Sequence, residues 1–235
     1  MINFAHRGAS TYAPENTMVS FALGYKMGAN GIETDVQRSK DGVLVLYHDN
    51  NLMRTLGRTG SISDYTWEEL EGFDAGIFKG EEFKGEKLVK LEDFLEEYGN
   101  KGLMLAIEIK QSGIEKETLE MVRKYVDDDH FTITSFMFDS IKELALLDNP
   151  PSLGYLARTF SEELLDELVS LHIAEYCPDA SFLTKEMMEK AAEKGLRVRA
   201  WGVKTPELMN KMVDLGVYGM TVNFPDLLVE RMKQQ

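Results

Sequence analysis

Residues 31–48 read Gly31-Ile32-Glu33-Thr34-Asp35-Val36-Gln37-Arg38-Ser39-Lys40-Asp41-Gly42-Val43-Leu44-Val45-Leu46-Tyr47-His48, and the fold turns on how this stretch divides. Two β-like runs, 31–37 and 43–48, flank Ser39-Lys40-Asp41-Gly42, in which Asp-Gly is a hairpin turn signal. A parallel crossover needs a dozen or more residues, so these two runs must pair antiparallel. Elsewhere β-like runs near 2–6, 103–109, 131–136, 153–157, 173–177, 197–203 and 218–223 alternate with helical runs. The helical runs fall near 17–28, 91–98, 115–126, 139–147, 161–170, 184–194 and 205–215. Setting 43–48 aside as a hairpin arm leaves eight strands free to run parallel. The pattern predicts an α/β fold, a TIM-type (β/α)8 barrel with a hairpin arm after its second strand. A doubly wound open sheet is the rival, but no Gly-x-Gly-x-x-Gly follows the first strand. Residues 49–90 read as a small insertion at the barrel mouth with one helix at 66–72, and 1–235 as a single domain.

Of 235 residues, 43% are hydrophobic, enough for one sizeable core. The 26 basic and 40 acidic residues leave a net charge of −14. No basic run is present, which excludes sequence-independent nucleic-acid binding and any stable association with an anionic membrane surface. The single Cys177 excludes an internal disulfide framework and fits a reducing compartment. No apolar run is long enough to span a membrane, and residues 1–8 lack the basic-then-apolar pattern of a signal peptide. A cytoplasmic protein is expected, its oligomeric state left open. The clusters Glu81-Glu82 and Asp127-Asp128-Asp129 read as solvated loops, and His130 and His172 as structural.

Strand periodicity places the polar residues. Ile32 and Val36 share the helix-facing side of their strand, so Glu33 and Asp35 point into the barrel. Leu103, Leu105, Ile107 and Ile109 form an apolar outer face, which turns Glu108 and Lys110 inward near the C-terminal end. His6 shares its parity with Ile2 and Phe4 and is also inward at that end, where barrels of this type carry their active sites. Three inward carboxylates repel unless a cation joins them, and all-oxygen ligands favour Ca²⁺ or Mg²⁺. His6 and His48, which ends the hairpin arm, can share acid and base roles near neutral pH. Arg7 and Lys110 can hold anionic oxygens. With a divalent cation in place, these charges leave a single positive charge, which suits a monoanion such as a phosphodiester.

His6-Arg7-Gly8, Pro14-Glu15-Asn16-Thr17, Glu33-Thr34-Asp35, Lys40-Asp41-Gly42, His48-Asp49 and Glu108-Ile109-Lys110 stand in the order typical of glycerophosphodiester phosphodiesterases. The chain resembles that family densely over residues 4–110 and more weakly through Trp201 to Asn223-Phe224-Pro225-Asp226. The resemblance implies a metal-dependent barrel enzyme that cuts glycerophosphodiesters into glycerol 3-phosphate and an alcohol. One divalent cation, Ca²⁺ or Mg²⁺, would sit on Glu33, Asp35 and Glu108. His6 and His48 would be the acid–base pair, with Arg7 and Lys110 on the phosphate. Glu15 and Asn16 match positions lining the mouth; Asn16 would orient its neighbours and cap the first helix. Trp201 would wall the glycerol side, and Phe182 would do the same. The chain departs from the family at Asn223, where Asp is common, and at Val89-Lys90, where Pro-Thr is common. Neither departure is expected to touch the metal ligands, the histidines or the phosphate contacts. Two other readings stay open: a lysophospholipase D-like enzyme acting on lysophospholipids, and a non-catalytic phosphate-binding module.

Overall fold

The computed structural model describes residues 1–234. Its strands are β1 (Ile2–His6), β2 (Gly31–Arg38), β3 (Leu44–Leu46), β4 (Met104–Ile109), β5 (Phe131–Ser135), β6 (Leu153–Ala157), β7 (Glu175–Pro178), β8 (Arg197–Val203) and β9 (Gly219–Val222). β1 pairs in parallel with both β2 and β9, which closes the ring through β2, β4 and on to β9. Only β3 is antiparallel, with Val36 opposite Leu46 and Arg38 opposite Leu44. The protein is therefore a closed eight-stranded parallel barrel with one hairpin strand outside it, as the Asp41-Gly42 turn requires.

Helices cover the outside: α1 (Met18–Lys26), α4 (Leu91–Tyr98), α5 (Glu115–Tyr125), α6 (Phe138–Ala145), α7 (Glu162–Ser170), α8 (Lys185–Glu193), α9 (Pro206–Leu215) and α10 (Pro225–Met232). Several start on capping hydroxyls, with Ser161, Thr184 and Thr205 each accepting a backbone N–H of the first turn. Outward residues such as Ile32, Val36, Leu105, Ile107 and Ile133 meet Phe21, Phe94, Leu119 and Ile141 in the main core. α10 lies outside the sequence expectation, because its apolar spacing is short and it starts at Pro225. In the insertion, α2 (Met53–Leu56) and α3 (Trp67–Glu71) join two 3₁₀ turns, Ile62–Asp64 and Glu81–Phe83. The insertion and β3 build a second core from Val45, Tyr47, Leu52, Ile62, Leu70, Ala75 and Leu88.

The barrel interior is not simply apolar. Glu175 and Arg199 project inward, fully buried, and pair with Nε 3.2 Å from Oε2. The Arg199 guanidinium lies 5.2 Å from the Phe4 ring centroid. Gly31 makes room for Phe4: a Cβ there would meet Phe4 Cδ1 at 2.8 Å and the Met104 carbonyl oxygen at 2.9 Å. Because one of those atoms is backbone, the clash cannot be relieved by a rotamer change. Gly31→Ala should therefore cost about 1–3 kcal/mol, the usual penalty of overpacking. The check is a lower denaturant midpoint at unchanged slope.

Candidate active site

Parallel register assembles the site. It sets His6 beside Glu33 on neighbouring strands, and Asp35 beside Glu108. Glu33, Asp35 and Glu108 thus offer oxygens that lie within 4.8 Å of one another, all buried. Beyond β1 the chain turns sharply at Arg7, whose φ is 56°, and at Gly8. Gly8 is required there, since a Cβ would lie 2.3 Å from the Ser20 carbonyl carbon of α1. The turn is pinned by Arg7 N–H donating to the Glu33 carbonyl at 2.8 Å, and by Asn16 N–H donating to the Arg7 carbonyl at 3.0 Å.

Two cations stand against the carboxylates. Arg7 Nε is 2.9 Å from Asp35 Oδ2, and Lys110 Nζ is 2.8 Å from Glu108 Oε1 and 3.7 Å from Asp35 Oδ1. Burial alone would neutralise Asp35, but Arg7 and then Lys110 outweigh it and hold its carboxyl well below the usual range. Glu33 goes the other way: burial, then repulsion by Asp35 and Glu108, pushes it well above its ordinary value. Burial and the charge of Asp35 also push Glu108 up to about 7, despite Lys110. Glu33 Oε2 and Asp35 Oδ1 are buried without a hydrogen-bond partner.

His6 is held at Nδ1 by Asn223 Oδ1, 2.5 Å away, so its Nε2 is the free acceptor, 3.8 Å from Glu33 Oε2. This overturns the expectation that Asn223 touches neither histidine: the end of β9 adjoins the end of β1, which brings the amide onto the ring. Val89-Lys90 does stay clear, with Val89 in the main core and Lys90 over the Trp67 ring. About 30% of the His6 side chain opens onto the cavity, yet crowding by protein and then the nearby Arg7 charge push the ring down to about 3. His48 Nδ1 lies 2.7 Å from Asp49 Oδ1. Arg54 binds Asp49 through Nε at 2.6 Å and Glu15 through both terminal nitrogens at 2.7 Å, while Glu15 accepts Arg7 Nη1 at 2.8 Å. Burial disfavours the Asp49 carboxylate, but hydrogen bonds from Arg54 and His48 hold it below its usual range.

The cavity at this end, about 550 Å³, is lined by His6, Arg7, Glu33, His48, Glu108, Lys110 and Trp201, with Asp35 directly behind them. Glu15 and Asn16 lie behind Arg7 and Asp35 and do not line the cavity. Asn16 donates to Asp35 Oδ2 at 3.0 Å and accepts from Thr34 Oγ1 at 2.8 Å. It does not cap α1, because Thr17 fills that position and accepts the Ser20 N–H. Phe182 packs half-buried against the main core instead of lining the cavity; the aromatic partner of Trp201 is Phe136, at 4.9 Å between centroids. Trp201 sits at an irregularity in the β8–β9 pairing and donates its indole N–H to the Cys177 carbonyl at 3.0 Å. Sequence reasoning missed Arg54, Phe136, Arg158 and Arg199. Parity would have found Arg199, two residues from the inward Trp201. The same count from Leu156 finds Arg158. The cluster of Asp127, Asp129 and His130 lies in the exposed loop entering β5, at the opposite end of the barrel.

The raised carboxyls carry a stability cost that depends on pH. A carboxyl whose folded pKa lies above its unfolded value costs the fold stability increasingly as pH rises past the unfolded value, and in full once pH exceeds the folded one. In buffer stripped of divalent cations, Glu108→Gln should therefore raise the melting temperature at pH 8. The gain should fade as pH falls from about 7 towards the ordinary carboxyl range, because wild-type Glu108 is then protonated in the fold. Thermal melts across that window check the sign.

Residues 6–227 match the glycerophosphoryl diester phosphodiesterase family. A glycerophosphodiester phosphodiesterase of Caldanaerobacter subterraneus is 33% identical, over 98% of this chain and 97% of that protein. One of Bacillus subtilis is 30% identical, over 97% of this chain and 85% of that protein. Among solved structures, an Oleispira antarctica phosphodiesterase in complex with the product sn-glycerol-3-phosphate superimposes with a TM-score of 0.91 at 27% identity, covering 99% of this chain and 97% of that one. The family match over residues 6–227 and the 33% identity along nearly the whole length show that the chain belongs to the glycerophosphoryl diester phosphodiesterase family.

Proposed function

We propose that this enzyme hydrolyses glycerophosphodiesters to glycerol 3-phosphate and an alcohol, using one divalent cation, Mg²⁺ or Ca²⁺, and a histidine pair. One observation carries the reading: three mutually close buried carboxylates, two cations and two histidines meet at a single cavity. The carboxylate set fits a hard cation, since its donors are all oxygen and two of them are buried without a partner. When bound on Glu33, Asp35 and Glu108, such a cation supplies Lewis-acid polarisation of the phosphoryl group and offsets its developing charge.

The protein's own groups divide the remaining work. Arg7 and Lys110 already balance Asp35 and Glu108, and their remaining N–H bonds hold the anionic oxygens of the diester. His6 keeps its Nδ1 proton in a hydrogen bond donated to Asn223 Oδ1, an uncharged acceptor, so its Nε2 takes a proton from the attacking hydroxyl. His48 faces the Asp49 carboxylate, which balances an imidazolium, so its Nε2 gives a proton to the leaving oxygen. A binding module has no use for two histidines so differently partnered. Lysophospholipid cleavage is favoured by one feature: Tyr12, Ile77 and Phe78 on loops and Met53 at the start of α2 are exposed at this end, where Lys79 ties the insertion to the Ser10 carbonyl.

Turnover of glycerophosphocholine, followed through release of glycerol 3-phosphate, tests the activity, with lysophosphatidylcholine run beside it for the second reading. Chelation should abolish turnover and added Mg²⁺ or Ca²⁺ should restore it; full activity at verified zero metal content defeats the cation assignment. His6→Ala and His48→Ala should each lower kcat by about 10²–10⁴-fold, while His130→Ala at the far end serves as control. Asn223→Asp places a carboxylate on His6, which favours the imidazolium, so the acidic limb of the pH–rate profile should move to higher pH.

A further inference from the structure

The wall of the cavity facing away from the carboxylates is cationic. The Arg158 guanidinium stacks on Phe136, 4.3 Å from the ring centroid, and lies 5.4 Å from that of Trp201. Lys204 lines the same wall. Among the described residues no carboxylate lies within 4 Å of either cation, whereas Arg7 and Lys110 on the opposite side of the cavity are both paired. The nearby Asp179, beside Gly202, is engaged by the Ser181 N–H. Asp49, also on the cavity, is taken by Arg54 and His48. In a chain with a net charge of −14, two unpaired cations on one cavity wall stand out against the general field.

The position of the wall gives it meaning. Phe136 is addressed by two cations: Arg158, and Lys110 at 5.8 Å from the centroid. Lys110 belongs to the phosphate end of the site, so Arg158 offers a second anion-holding position about one aromatic ring away. A quaternary ammonium would need the open faces of Phe136 and Trp201, and Arg158 already occupies them. Glycerol carries no charge, so a second anion on a glycerophosphodiester must sit on its alcohol, which moves Trp201 from the glycerol side expected of it to the alcohol side.

Resting on the proposed activity, we infer that Arg158 and Lys204 form a subsite for an anionic group, phosphate or carboxylate, on the alcohol half of the substrate. The enzyme then favours diesters of anionic alcohols over those of choline.

Three diesters of glycerol 3-phosphate test this: one with glycerol as the alcohol, one with glycerol bearing a terminal phosphomonoester, and one with choline. The expected result is a kcat/KM for the phosphomonoester-bearing diester about tenfold or more above that for the glycerol diester, the worth of one well-placed charge contact of about 1.4 kcal/mol. Glycerophosphocholine should be the poorest of the three. The preference should shrink with rising ionic strength. Arg158→Gln combined with Lys204→Gln should bring the ratio of the first two substrates towards one. That ratio is read within one protein, so a general loss of activity does not move it. Equal or better turnover of the neutral or choline diester by the wild type, or survival of the ratio in the double variant, overturns the inference and leaves the activity standing. Failure to cleave any of the three overturns the activity, and the subsite with it.

Discussion

Asp35 has no exposed surface, yet its carboxyl is held ionised by Arg7 at 2.9 Å and by Lys110 behind it. Much of the site follows from stabilising that one buried charge. Arg7 can reach it only from a backbone turned through a left-handed conformation, which in turn needs Gly8 against α1. Asn16, also left-handed at φ 56°, supplies the further hydrogen bond to Asp35 and is itself oriented by Thr34. Burial pushes Glu33 and Glu108 up, and the charge of the ionised Asp35 adds to that push. The three carboxylates thus share a site but differ in how readily each gives up its proton.

Parity carried the reading of the barrel because a closed sheet has no edge and two chemically distinct faces. Ile32 and Val36 must meet helices, so Glu33 and Asp35 must meet the interior, and only a one-residue slip would undo this. The Asp41-Gly42 turn settled which run lies outside the ring. What parity cannot supply is the pairing of side chains brought together by different loops. Asn223 reaches His6 across 217 positions of sequence, and Arg54 reaches Glu15 across 39. Phe182 lies in a loop, where no strand count applies, whereas Phe136 stands in step with Thr132 and Thr134 of β5 and reaches the cavity.

Arg54 joins two networks that would otherwise be separate. It binds Glu15, which holds Arg7, and Asp49, which holds His48. The polar chain therefore runs from the end of β1 to the start of the insertion, with each carboxylate shared between two cationic or imidazole partners. Such a chain fixes the separation of the groups at its ends more firmly than any single exposed ion pair.

The insertion has its own hydrophobic core, distinct from the one between barrel and helices, and His48 follows directly from it through Val45 and Tyr47. His6 belongs to the barrel. The residues on either side of His48 are nonetheless tied to the barrel strand β2, since Tyr47 N–H donates to the Asp35 carbonyl and Gln37 Nε2 donates to the Tyr47 and Asp49 carbonyls, each at 2.9 Å. Local opening of the insertion costs less than global unfolding, but these bonds hold His48 to the strand that carries Glu33 and Asp35. The spacing of the two histidines is therefore set by the backbone pairing of β1, β2 and the hairpin arm, and not by the insertion that follows it.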